Sequence, residues 1–189
     1  MGKGGFTLEY KENTKGRILI YTGDGKGKTT AAIGVAVRAL GRDMKVAMLQ
    51  FIKSPGRNYG EQNSLEKLGA HVQQLGEGFT WTKTPEIHRK ALERAWETAK
   101  ETINSGNYDL VILDELNNAL AIDSFPVDDV LPLQEVVSVL KDKPEKLHVI
   151  VTGRSARQEL KDIADLVSVV EAEKHYYDEG VKAIYGIEY

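Results

Sequence analysis

The feature that most constrains this chain is a short apolar run that breaks into glycines and passes at once into a helical pattern. Arg17-Ile18-Leu19-Ile20-Tyr21-Thr22 runs into Gly23-Asp24-Gly25-Lys26-Gly27-Lys28-Thr29-Thr30. The first segment reads as a buried strand. The second leads into a helix from Lys28 to Leu40, with Gly41 as its C-terminal stop. A strand that enters a helix through glycines turns backbone N–H groups inward at the positive end of a helix dipole, and a lysine adds a full charge there. Such a turn is an anion site suited to phosphate.

The rest of the chain repeats the alternation. Strands are expected at 45–52, 71–75, 108–113, 147–152 and 166–171, and helices at 62–68, 86–104, 117–122, 127–140 and 155–164. In the long helix, Ile87, Ala91, Ala95, Ala99 and Ile103 recur at helical spacing. Strands alternating with helices require a parallel sheet covered on both faces. The fold class is therefore α/β, a P-loop NTPase-type (RecA-like), mostly parallel sheet with helices on both faces. Residues 1–16 lack periodicity and read as a flexible tail, and 17–189 as a single domain.

Composition narrows the function classes. Of 189 residues 41% are hydrophobic, enough for a real core, and the net charge is -3. That balance argues against nucleic acid as a main partner, because phosphate-backbone binding needs a basic surface. The chain has no cysteine, so disulfides and thiolate metal sites are excluded. No apolar run approaches the roughly 20 residues that span a bilayer. The expectation is a cytoplasmic protein without a membrane partner.

Two motifs carry chemistry. Gly27-Lys28-Thr29 supplies the end of a Walker A pattern, with Lys28 on phosphate oxygens and the Thr29 hydroxyl on Mg2+ (or Mn2+). The pattern's first glycine would fall at Thr22. The glycine present is Gly23, so only Asp24, Gly25 and Lys26 separate it from Gly27. The loop is tighter than usual, which bears on how a nucleotide sits. The second motif is Leu110-Val111-Ile112-Leu113-Asp114-Glu115, an apolar run ending in acids, as in a Walker B strand. Asp114 or Glu115 would hold the divalent cation directly or through water, since hard cations take oxygen ligands.

Six segments in order resemble the P-loop ATP:corrinoid adenosyltransferases. They are the loop from Gly23 to Ala32, Val46 to Lys53, Gly78-Phe79-Thr80-Trp81, Leu113 to Leu116, Val151-Thr152-Gly153-Arg154, and Lys174-His175 with the ending from Asp178 to Tyr189. The resemblance spans about Arg17 to Tyr189. It implies transfer of the 5′-deoxyadenosyl group of ATP to the cobalt of a reduced corrinoid, cob(I)alamin, with release of tripolyphosphate. It also implies ATP bound in a reversed sense, the γ-phosphate lying where other P-loop proteins place the α. Gly23, Asp24, Gly25, Lys26, Gly27, Lys28, Thr29 and Thr30 would then hold ATP, with Arg38 approaching the nucleoside.

Under the same resemblance Thr29 and Glu115 hold the metal, with Asp114 a water-mediated partner, and Lys28 acts on the leaving triphosphate. Phe79 and Trp81 would displace the lower axial ligand of Co(II), leaving a four-coordinate cobalt that is easier to reduce. A flavodoxin-like reductant and a homodimer are further implications. Asp24 replaces an asparagine common in the family's loop, and Asn117-Asn118 departs from the residues often found after the acidic motif. Among the other polar residues, His88 is expected on the surface of its helix, His148 in a structural role, and His175 in a structural role or at the substrate edge. Arg154 and Arg157 follow a strand end, within reach of phosphate or solvent. Two other classes remain open on sequence: an ATPase or kinase acting at the γ-phosphate, and a non-catalytic nucleotide- or corrinoid-binding module.

Overall fold

The computed structural model describes residues 15–56, 59–78 and 83–188. Six parallel strands form one sheet: β1 (Ile18–Thr22), β2 (Val46–Gln50), β3 (His71–Gln74), β4 (Leu110–Asp114), β5 (His148–Thr152) and β6 (Leu166–Val169). Their spatial order is β3-β2-β4-β5-β1-β6, so the phosphate-loop strand and the acidic strand flank β5. The helices are α1 (Lys28–Leu40), α2 (Gly60–Lys67), α3 (Pro85–Asn104), α4 (Leu116–Leu120), α5 (Leu133–Lys141) and α6 (Gln158–Ile163). A 3-10 turn spans Tyr176–Glu179. No helix among the described residues is long and apolar enough to cross a membrane.

Successive side chains of a strand point to opposite faces, and here both faces are apolar. Val46 and Met48 of β2 with Leu110 and Ile112 of β4 meet Ala32, Ala36 and Ala39 of α1 on one face. The alanines let α1 sit close to the sheet, which brings its N-terminus over the strand ends. Ala47 and Leu49 with Val111 and Leu113 meet Leu92, Trp96 and Ile103 of α3 and Val136 and Leu140 of α5 on the other.

Three expectations need correction. The helix expected at 127–140 begins only at Leu133, after Pro132 at its N-cap. Proline lacks an N–H and clashes with the preceding turn, so it can open a helix but not sit inside one. The stretch before it is a turn, in which Val127 accepts from the amides of Val130 and Leu131. The second correction concerns the long helix. Its buried stripe is His88, Ala91, Leu92, Ala95, Trp96, Ala99 and Ile103, whereas Ile87 is 42% exposed. The sequence reading started the stripe one residue early because isoleucine is the more apolar neighbour, and so put His88 outside. His88 instead stacks on Phe125, with ring centroids 5.9 Å apart, and burial lowers its pKa. The third concerns Gly16, placed on sequence in the tail. It is buried, and its amide donates to Glu145 O at 2.7 Å.

Candidate functional site

Four neighbouring strands end at their carboxyl edge on a polar residue: Gln50 on β2, Asp114 on β4, Thr152 on β5 and Thr22 on β1. All four are buried. In open α/β sheets this edge is where ligands bind. Glycines and the N-terminus of α1 crown it, and a cleft of about 1340 Å3 opens above.

The phosphate loop is built against the C-terminal segment. Gly25 N donates to Val170 O at 2.8 Å. Gly23 has φ +102, and a Cβ there would lie 2.4 Å from Val170 O, so only glycine fits. Asp24, Gly25, Lys26, Gly27, Lys28, Thr29 and Thr30 all line the cleft. Gly23 forms the turn beneath them. Arg38 does not line the cleft: it is exposed in the last turn of α1, roughly 15 Å along the axis from Lys28. Phe79 and Trp81 lie outside the described residues.

Asp114 is the centre of a polar network. Its carboxylate is fully buried. Oδ1 accepts from Thr29 Oγ1 at 2.8 Å and from Thr152 Oγ1 at 2.7 Å. Oδ2 accepts from Gln50 Nε2 at 3.1 Å and lies 3.6 Å from Lys53 Nζ. Lys53 also pairs with Glu61 and sits 4.8 Å from the centroid of the Tyr59 ring. Burial works against the Lys53 ammonium, but the Asp114 and Glu61 carboxylates outweigh it and raise its pKa. Asp114 thus accepts three hydrogen bonds from protein and has an ammonium close by.

Glu115 behaves differently. It follows β4 in the left-handed region, φ 62, and its amide donates to Thr152 Oγ1 at 3.0 Å. That backbone turn sends it into the cleft beside Lys28 and Arg154, whose charges it feels. Burial first, and the Asp114 carboxylate second, push its pKa up to about 7. Burial lowers the Lys28 pKa, and Arg154 lowers it further. Two cations therefore converge at the start of α1, an arrangement that calls for an anion between them.

The structure also places the other polar residues singled out in the sequence. Arg157 donates to Leu120 O at 3.1 Å and is structural. Asn117 and Asn118 clamp the loop after β5: Asn117 Nδ2 donates to Gly153 O at 3.3 Å, and Asn118 Oδ1 accepts from Arg154 N at 2.6 Å. Gly153 has φ +127, and a Cβ there would lie 2.4 Å from Asn118 Oδ1. Lys26 points to the chain end, 3.1 Å from Glu188 Oε2, and Tyr176 OH donates to the other oxygen of that carboxylate. His148 accepts from Arg17 N at 3.3 Å, and His175 caps the 3-10 turn at the cleft edge.

Sequence reasoning missed Gln50, Lys53 and Thr152. For Gln50 and Thr152 a signal was present: each central strand is an apolar run that ends on one polar residue, and those ends share one edge of a parallel sheet, whereas Lys53 lies in the loop after β2.

The raised Glu115 pKa has a consequence for stability. Between about pH 4.5 and 7 the folded chain holds a proton that the unfolded chain has released, so stability is full below this window and falls as pH rises through it. Glu115→Gln removes the charge. Above pH 7 it should be more stable than the parent by about 1–3 kcal/mol, with the gap closing near pH 4.5. Thermal melts at pH 5 and pH 8 measure this, and an equal gap at both would contradict it.

Comparison with known proteins agrees with this geometry. The family profile described as "ATP:corrinoid adenosyltransferase BtuR/CobO/CobP" matches residues 14–189. The chain is 42% identical over 179 residues to a corrinoid adenosyltransferase of Escherichia coli K12, covering 94% of this chain and 88% of that protein. The same identity and coverage hold for the corrinoid adenosyltransferase CobA of Salmonella typhimurium LT2. Among solved structures, a KaiC-like protein of Pyrococcus horikoshii superposes with a TM-score of 0.52 at 16% identity, covering 83% of this chain and 72% of that one. The RadB recombinase gives 0.50 at 17%, covering 83% and 75%. These two show the fold alone, a P-loop NTPase-like parallel sheet. Together, the profile and the relatives place the chain in the ATP:corrinoid adenosyltransferase BtuR/CobO/CobP family.

Proposed function

We propose that this chain transfers the 5′-deoxyadenosyl group of ATP to the cobalt of a reduced corrinoid, cob(I)alamin, releasing tripolyphosphate. The observation that carries the reading is the convergence of Lys28, Thr29, Glu115 and Arg154 at the N-terminus of α1, in a member of this family. The electron pair of Co(I) attacks C5′. A Co–C bond forms, the C5′–O bond breaks, and its electron pair leaves with tripolyphosphate while cobalt is formally oxidised to Co(III). No proton moves, so no general base is needed. The protein's tasks are alignment of cobalt with C5′ and stabilisation of charge on the leaving group.

Lys28, Arg154 and the α1 N–H groups meet that charge. Lys26 joins them once it releases Glu188. The reversed ATP pose expected from the resemblance puts C5′ away from these cations and toward the corrinoid. A divalent cation, Mg2+ or Mn2+, fits the donor set. Thr29 has committed its proton to Asp114 and keeps its lone pairs, and Glu115 supplies a carboxylate. Hard oxygens of this kind, one or two carboxylates with substrate phosphates, are the habit of Mg2+. When bound, the ion adds positive charge against the triphosphate. Asp114 is withdrawn from it, acting through Thr29. The resemblance adds Phe79 and Trp81 as the groups that strip the lower cobalt ligand, a flavodoxin-like reductant, and a homodimer.

Incubation with ATP, Mg2+ and chemically reduced cobalamin should yield a light-sensitive adenosyl product together with tripolyphosphate. Release of ADP or phosphate without adenosylation would overturn the reading in favour of a γ-phosphate enzyme. The aromatic pair has its own test. Phe79→Ala with Trp81→Ala should keep activity when a strong chemical reductant supplies Co(I). With a weak protein reductant acting on Co(II), activity should fall at least about tenfold, one 1.4 kcal/mol step. Equal losses in both assays would contradict the ligand-stripping role.

A further inference from the structure

Of the two hydroxyls in the row of strand ends, Thr22 accepts from the Ala156 amide, and Thr152 touches the acidic pair. Thr152 closes β5, fully buried, between the acidic strand and the phosphate-loop strand. We infer that Thr152 is the positioning residue that sets both carboxylates of the acidic pair, because its one hydroxyl holds the side chain of Asp114 and the backbone of Glu115 at once.

A hydroxyl has one proton and two lone pairs. The proton goes to Asp114 Oδ1 at 2.7 Å. A lone pair takes the Glu115 amide at 3.0 Å. The first bond shares Oδ1 with Thr29 Oγ1, so it fixes the oxygen that orients the phosphate-loop hydroxyl. The second holds Glu115 in the left-handed conformation, φ 62, which is unfavourable for a residue with a Cβ. That conformation turns the Glu115 side chain off the strand line and into the cleft.

Thr152 is itself pinned. Gly153 N donates to Tyr21 O at 3.2 Å, and Asn117 holds Gly153 O. The hydroxyl therefore has a fixed position from which to act on two neighbours. Valine at this place matches the shape and lacks the hydroxyl. It would leave the Glu115 amide without its partner and Asp114 one donor short, in a site where unsatisfied polar groups are costly. Serine would keep both bonds.

The inference rests on the divalent cation of the proposed function, and the test separates the two. Mn2+ is titrated in the presence of ATP and free Mn2+ is read by electron paramagnetic resonance. The proteins are the parent chain, Glu115→Gln, Thr152→Val, Thr152→Ala and Thr152→Ser, each checked for an intact melt. Thr152→Val and Thr152→Ala should loosen Mn2+ about 10–100-fold, the usual cost of removing a group that orients metal ligands. Thr152→Ser should stay near the parent, and ATP binding without metal should hold in all the Thr152 variants. If Glu115→Gln loses affinity while Thr152→Val and Thr152→Ala keep it, the positioning role is overturned and the metal assignment stands. If metal-free ATP binding falls in parallel with Mn2+ binding, Thr152 serves only the fold and the role is again overturned. If Glu115→Gln binds Mn2+ as the parent does, the assignment of Glu115 to the metal fails, and this inference with it.

Discussion

A fully buried carboxylate governs this structure. An ionised side chain removed from water costs several kcal/mol unless it is paired and hydrogen-bonded. Asp114 meets that demand with three donors and a nearby ammonium, drawn from α1, β5, β2 and the loop after β2. Satisfying one charge thus draws four separate parts of the chain to one point. The same bonds set the Thr29 hydroxyl at the start of α1 and the end of β5 beside Glu115. The site's geometry follows from the requirement to neutralise Asp114.

The neighbouring acid is left under-compensated. Glu115 sits beside an already buried carboxylate and titrates near 7, so the folded chain carries an electrostatic deficit at its cleft. Across from it, Lys28 and Arg154 repel each other. Opposed imbalances of this kind are common where a ligand brings both signs of charge. A triphosphate with a divalent cation would relieve both, the phosphates between the cations and the metal against the acid. At the chain end, Glu188 already offers Lys26 a carboxylate.

Much of this was legible in the sequence, and the reasons are physical. The parallel sheet follows from alternating apolar runs and amphipathic segments, and the phosphate loop from glycines between a strand and a helix. The acidic pair shows as a strand ending in Asp114-Glu115. The different fates of those two acids do not, because burial of one and exposure of the other to the cleft depend on a single left-handed residue. Thr152, Gln50 and Lys53 were hidden for a related reason: each matters only through neighbours brought from other strands. His88 was misplaced by one position of helical phase, since a histidine inside an apolar stripe scores below the isoleucine beside it. Pro132 was a legible signal that the periodicity of 127–140 overrode.

The central claim is that bond breaking occurs at carbon, with the triphosphate site holding a leaving group. Isotopic labelling tests this most directly. ATP carrying 18O in the bridge between C5′ and the α-phosphorus is turned over with reduced cobalamin, and the recovered polyphosphate is weighed by mass spectrometry. Attack at C5′ predicts that all of the label appears in tripolyphosphate. Label retained on a nucleoside or nucleotide product would mean attack at phosphorus, and would contradict the account.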